Sequence, residues 1–221
     1  MNISTKFAPR AAVESADDRR MYAQFLCACL TVDRDNELVP PDSLDANAYL
    51  RNPILLWQHD HKQLPIGTAV GPDGIPMVEQ TRDYLRCGFY FSRSNPMGEV
   101  AFGLVAEGIL RGASIAYLPS GKRQSTRDEQ RQYRRDRPFL VITPNSALIE
   151  VSLVNVPANP MALVESDSID RSALADVIER GRLRGKPVPK PCMPALKALT
   201  AAASPGTTLA RVNVKINVRR A

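Results

Sequence analysis

The chain holds two histidines, and both fall in the run Trp57-Gln58-His59-Asp60-His61, between a short apolar stretch and a Pro65-Ile66-Gly67 turn. The ordinary pKa of histidine lets it take up and return a proton near neutrality, so either ring is a candidate general base. Alternate residues of a strand share a face, so the two rings also read as a metal pair, or simply as part of a polar loop. A second candidate is Ser114, a hydroxyl inside Gly112-Ala113-Ser114-Ile115-Ala116-Tyr117, where small neighbours let a substrate backbone come close. A serine hydroxyl is hardly ionised at neutral pH and needs an adjacent base to become a nucleophile; without one, Ser114 is an ordinary strand serine bonded to backbone. A third is Glu150, the one acidic residue in the run 147–156, which strand alternation places on a face with Leu148, Ser152 and Val154. Burying an unpaired carboxylate is costly, so Glu150 either faces solvent or meets a base or cation such as His59 or an arginine.

Ser114 lies 55 residues after His59 and 36 before Glu150, so only a fold brings the three together. The elements that must do so read mainly as strands. Residues 21–32 are apolar and small, with turn chemistry at 33–36. Residues 53–57 and 66–70 are short apolar runs, and Leu85, Cys87, Phe89 and Phe91 alternate with polar or small residues. A helix follows, capped at Ser94 or Asn95 with Pro96 at its first position and apolar residues at 97, 100, 101, 104, 105 and 109. Strands are expected at 113–118, 139–143 and 147–156, with the charged segment 119–138 as a surface loop or insertion, and an amphipathic helix at 168–183. Many short strands around one or two helices predict an α+β domain built on a mostly antiparallel sheet or small barrel.

With 221 residues, 44% hydrophobic and 24% charged, the chain has enough apolar material for one sizeable core, which excludes wholesale disorder and fibrous repeats. No segment approaches the ~20 apolar residues of a membrane span. The first twenty residues are charged and lack an apolar core, so they do not read as a secretory signal and the protein is expected to stay in the cytoplasm. Cys27, Cys29, Cys87 and Cys192 form neither a CxxC pair nor a disulfide framework; they read as thiols, with no structural metal.

The net charge of +6 is unevenly placed: −3 over residues 1–50, +2 over 51–165 and +7 over 166–221. From Gly181 onward there are nine Lys or Arg, five prolines and no acid, the composition of a tail. Such a tail suits an acidic protein surface or nucleic acid, although no aromatic is interleaved to stack bases. Residues 209–219 alternate apolar and polar like a half-buried strand.

Three motifs in order carry a resemblance. They are Asn52-Pro53-Ile54-Leu55-Leu56-Trp57-Gln58-His59-Asp60 running into Pro65-Ile66-Gly67, then Gly108 through Gly112-Ala113-Ser114-Ile115, then Glu150-Val151-Ser152-Leu153-Val154-Asn155-Val156-Pro157-Ala158-Asn159-Pro160. Together, over residues 22–162, they resemble the prohead (procapsid) maturation serine proteases of tailed bacteriophages, a family related in fold to herpesvirus assemblin. The resemblance implies a small, mostly antiparallel β-barrel flanked by helices, as a protease domain over 21–165; outside it the chain reads as a flexible segment 1–20, a helix 166–185 and a basic, proline-rich tail 186–221. It implies a cofactor-free endopeptidase in which Ser114 attacks, His59 shuttles the proton and Glu150 orients the imidazole. Ala158 and Asn159 are implied as oxyanion donors, because related viral proteases use the loop just beyond the third triad member.

Implied substrates are the scaffold or the scaffolding segment of the major capsid protein, and the protease itself, inside the assembling prohead in the host cytoplasm. A homo-oligomer and nucleic acid held by the tail are compatible with this, a membrane is not expected, and the tail would tether the enzyme to an acidic scaffold. Two departures stand out: Ala116 sits where the family usually has glycine, and His61 has no counterpart and stays a substitute base. Two other classes fit the same residues: a non-catalytic capsid scaffold protein of this fold, and a metal-dependent hydrolase using His59, His61 and Glu150.

Overall fold

Alternation of apolar and polar residues along the chain builds a sheet that wraps around one core. The computed structural model describes residues 20–183. The strands are β1 (Tyr22–Cys29), β2 (Glu37–Leu38), β3 (Leu44–Asp45), β4 (Ile54–Trp57), β5 (Gly67–Thr68), β6 (Val78–Gln80), β7 (Tyr84–Phe91), β8 (Gly112–Leu118), β9 (Lys122–Gln124), β10 (Leu140–Ile142) and β11 (Ser146–Val154). The helices are α1 (Asn47–Leu50), α2 (Pro96–Ala106), α3 (Arg127–Gln132) and α4 (Leu174–Leu183). The expected strand at 209–219, the segment 1–19 and the tail beyond 183 lie outside the described residues.

The main sheet runs β1-β7-β5-β4-β11-β3, with β6 on β7 and β8 on β11. It is mixed but mostly antiparallel, as expected: of its seven strand pairings only those of β11 with β3 and with β4 are parallel, and the other side of β11 takes β8 antiparallel. Residues 162–165 bring the two ends together. Ala113 N–H donates to Ala162 O (3.0 Å) and Val164 N–H to Arg111 O (2.8 Å) on the β8 side; Leu26 N–H donates to Leu163 O (3.0 Å) and Glu165 N–H to Gln24 O (2.8 Å) on the β1 side. This strap makes the sheet a nearly closed barrel and leaves the free edges of β1 and β8 few exposed backbone groups.

Inside it, Phe25, Phe89 and Leu85 from β1 and β7 meet Leu55, Leu148, Val151 and Leu153, all fully or almost fully buried. Helix α2 closes the core. Asn95 caps it by accepting from Met97 N–H (3.0 Å), Pro96 presets its first turn, and Phe102 stacks on Phe91 with ring centroids 5.5 Å apart. Of its expected apolar stripe, Val100 and the following Ile109 point outward instead, 52% and 69% exposed. The C-terminal helix starts later than expected: two 3-10 turns at Ser166–Ser168 and Arg171–Ala173 precede α4. Arg180 then pairs with the buried Glu99 of α2 (2.7 Å).

The charged segment 119–138 is not a loop. It contributes β9 and α3 to a second sheet, β2-β10-β9, over a small core of Val32, Leu38, Phe139 and Val141 covered by Tyr133. Helix α3 buries none of its residues, so hydropathy gives it no period; its start is set by a capping box between Thr126 and Glu129. Glu129 also takes both guanidinium nitrogens of Arg123, at 2.8 and 2.5 Å. That pairing, aided by Thr126, holds its carboxyl down at about 2.

Two consequences are measurable. A carboxyl with a depressed folded pKa contributes stability that is complete above its unfolded value and is lost as pH falls through the folded one. The difference in urea midpoint between the wild type and Glu129→Gln is therefore expected to be present at pH 5 and to vanish toward pH 2; a difference constant over that range contradicts the pairing. At Gly112, where β8 begins, an added Cβ would lie 2.7 Å from Val154 O and 2.8 Å from Pro157 Cδ. Gly112→Ala is expected to cost about 1–3 kcal/mol in urea unfolding, the usual range for overpacking, and a neutral result contradicts that close approach.

Candidate active site

Strand register assembles the site. On β11, Ser152 pairs with Ser114 of β8 on one side and with Leu56 of β4 on the other. Directly opposite residues of an antiparallel ladder have Cβ atoms about 4.5–5.5 Å apart on the same face, so Ser114 and Ser152 are neighbours. Glu150 lies two residues before Ser152, on that face. Leu148 does not share it. The register shifts between Leu148 and Glu150, with Ile149 as the extra residue, and this bulge turns Leu148 into the core with Val151 and Leu153. The same bulge exposes Ile149 (39%) and buries Glu150 (3%), the reverse of what hydropathy alone gives.

His59 reaches the site through strain. After β4 the chain turns through two left-handed residues, Gln58 (φ 53°) and His59 (φ 58°). Each such non-glycine residue costs roughly 1–2 kcal/mol, so the turn needs external support. Gln58 N–H donates to Leu153 O (3.0 Å), Asp60 N–H to Trp57 O (2.9 Å) and His59 N–H to Ser152 Oγ (3.1 Å). The turn breaks strand alternation, so His59 and His61 do not share a strand face as a metal pair requires. Instead, His59 Nδ1 hydrogen-bonds Glu150 Oε1, and the other carboxylate oxygen, Oε2, accepts from Ser152 Oγ (2.5 Å). A carboxylate takes Nδ1–H as its donor, leaving Nε2 as the lone-pair nitrogen of the ring. His61 lies on the exposed turn beyond, and it is His59 that meets Glu150. Among the described residues, no three His, Cys, Asp or Glu side chains cluster as metal ligands.

Ser114 is 6% exposed and opens into a cleft of about 80 Å³ whose lining includes Ile115, Tyr117, Asp33, Ala158 and Asn159. The loop carrying Ala158 and Asn159 is clamped from both sides. Arg34 donates its backbone N–H to Ala158 O (3.0 Å) and a guanidinium N–H to Pro157 O. Asn159 donates its side-chain amide to Cys29 O (3.2 Å) and accepts from Met161 N–H (3.0 Å). Among the described residues, the backbone N–H groups of Ala158 and Asn159 themselves enter no hydrogen bond. Two uncommitted donors on a fixed loop beside a serine are what a developing oxyanion requires.

Elsewhere on the cleft wall, burial raises the Asp33 carboxyl, against the lowering effect of the Glu37 and Asp35 N–H groups it accepts from. Burial and a hydrogen bond to Glu37 (2.7 Å) push the Tyr117 phenol up, so it stays a donor. Ala116 is not among the residues with positive φ, so the methyl in place of the family's glycine carries no backbone strain. Sequence reasoning placed Ser152 on the right face and gave it no task; its signal is a buried polar residue among Val151, Leu153 and Val154. It missed Arg34, whose anchoring role depends on a contact 123 residues away.

The helices described are none of them long and apolar enough to cross a membrane. Comparison with curated proteins and with solved structures returned no match. The family model described as caudovirus prohead serine protease matches residues 30–175, a span that contains His59, Ser114, Glu150 and the Pro157–Asn159 loop. Since that span is well over half of the chain, this protein belongs to the caudovirus prohead serine protease family, whose members mature the phage capsid.

Proposed function

We propose that the chain is a serine endopeptidase with Ser114 as nucleophile, His59 as general base and Glu150 as the acid that orients it. The observation that carries this reading is the buried Glu150 carboxylate on His59 Nδ1, on the same face of β11 that register brings beside Ser114. Ser114 Oγ attacks the scissile carbonyl while His59 Nε2 takes its proton, and Glu150 stabilises the resulting imidazolium without itself accepting the proton. The N–H groups of Ala158 and Asn159 hold the tetrahedral oxyanion, a service worth about 10²–10³ in rate per donor. His59 then protonates the leaving amine, and water, activated by the same ring, releases the acyl group from Ser114.

Its substrates are the scaffold or the scaffolding segment of the major capsid protein, together with the chain itself, cut inside the assembling prohead. The basic terminus from Gly181 onward, rich in lysine and arginine, tethers the enzyme to an acidic scaffold surface by long-range attraction.

The direct test is co-expression with a major capsid protein that carries its scaffolding segment, comparing the wild type with Ser114→Ala by intact mass. Shortened capsid protein and self-trimmed enzyme are expected only with the wild type. Identical processing in both removes Ser114 as nucleophile. Uncut protein in both, with shells assembled, favours a non-catalytic assembly role.

A further inference from the structure

We infer that Ser152 is a positioning residue that locks the His59–Glu150 pair; this rests on the serine-protease reading above. The Ser152 hydroxyl is fully buried, and both of its hydrogen bonds go to the two other residues. It accepts from His59 N–H at 3.1 Å and donates to Glu150 Oε2 at 2.5 Å, while Glu150 Oε1 receives His59 Nδ1. These three bonds form a closed ring. The backbone of the strained turn, the imidazole and the carboxylate are fixed relative to one another, and a single hydroxyl completes the circuit.

The fold itself does not need a polar residue here. Val151, Leu153 and Val154 on either side are buried and apolar, and the β11 backbone ladder is made by main-chain groups whatever the side chain. A residue without the hydroxyl would fill the sheet equally well, but it would leave both of its partners without that bond. His59 N–H would lose its support in a left-handed turn, and Glu150 Oε2 would lose its donor, freeing the carboxylate to rotate. Ser152 touches no substrate in this scheme and acts only through His59 and Glu150.

A fluorophosphonate probe reports activation of Ser114 without requiring knowledge of the cleavage site. Second-order labelling rates would be measured on the full chain for the wild type, Ser114→Ala, Ser152→Ala, Glu150→Gln and the Glu150→Gln/Ser152→Ala double variant, with thermal unfolding as the check on folding. Ser152→Ala is expected to label about 10- to 100-fold more slowly, the usual loss on removing a partner that orients a catalytic group. In the Glu150→Gln background the same change is expected to cost less than about threefold, since coupled residues are not additive. Should Ser152→Ala fold poorly, Ser152→Thr against Ser152→Val decides, because the two share a shape and differ in the hydroxyl; Thr is expected to label at least about tenfold faster. Equal rates for that pair, or an equal loss from Ser152→Ala in both backgrounds, overturns the role of Ser152. Wild-type labelling no faster than Ser114→Ala overturns the protease reading itself, and this inference with it.

Discussion

A carboxylate 3% exposed on the face of β11 opposite its core residues Val151 and Leu153 is the constraint around which this fold is arranged. A buried carboxylate left without hydrogen-bond partners is costly, so Glu150 cannot sit on β11 unless something meets both of its oxygens. His59 meets one and Ser152 the other. The bulge at Ile149, the left-handed turn at Gln58 and His59, and the parallel pairing of β4 with β11 are the means by which the chain delivers those two partners. Parallel pairing matters because it lets β4 end beside Leu153, near the end of β11, from where its following turn folds back to the carboxylate.

The second half of the site is built by a different device. Past Val154, β11 gives way to the Pro157-Ala158-Asn159 loop, which Asn159 fastens to Cys29 at the end of β1 and Arg34 to the segment that follows it. The strap 162–165 then returns to bridge β8 and β1. One continuous stretch, 146–165, thus supplies the acid, its positioning hydroxyl, the uncommitted amide donors and the closure of the barrel. Ser114 faces this stretch across the β8 ladder, so the serine and the acid are placed by one register. A shift of that register by one residue would put the serine and the acid on opposite faces of the sheet.

Much of this was legible in the sequence, because the signals were local. The alternation through β7, the Asn95-Pro96 start of α2 and the isolated acid in an apolar run each state their structure within ten residues. The catalytic candidates were legible for a related reason: histidine is scarce here, and His59 and Glu150 stand out from their surroundings. What was not legible depended on partners far away or on features that leave no period. The parallel direction of β3 and β4 follows from connections, not from alternation. Helix α3 buries none of its residues and is marked only by its cap. The bulge at Ile149, which takes Leu148 off the Glu150 face, appears only once β8 is alongside. Arg34 looks like any loop arginine until its guanidinium is seen on Pro157 O.

The claim that most of the site rests on is that His59 holds its proton on Nδ1 against Glu150. Nitrogen-15 NMR of imidazole-labelled protein reads this directly, and the spectrum is simple because His59 and His61 are the only histidines. One neutral ring is expected to show the Nδ1–H tautomer with a downfield, slowly exchanging proton, and to lose both features in Glu150→Gln, while the other ring is unchanged. Two rings that both exchange freely, in the tautomer of free histidine and indifferent to Glu150→Gln, would contradict it.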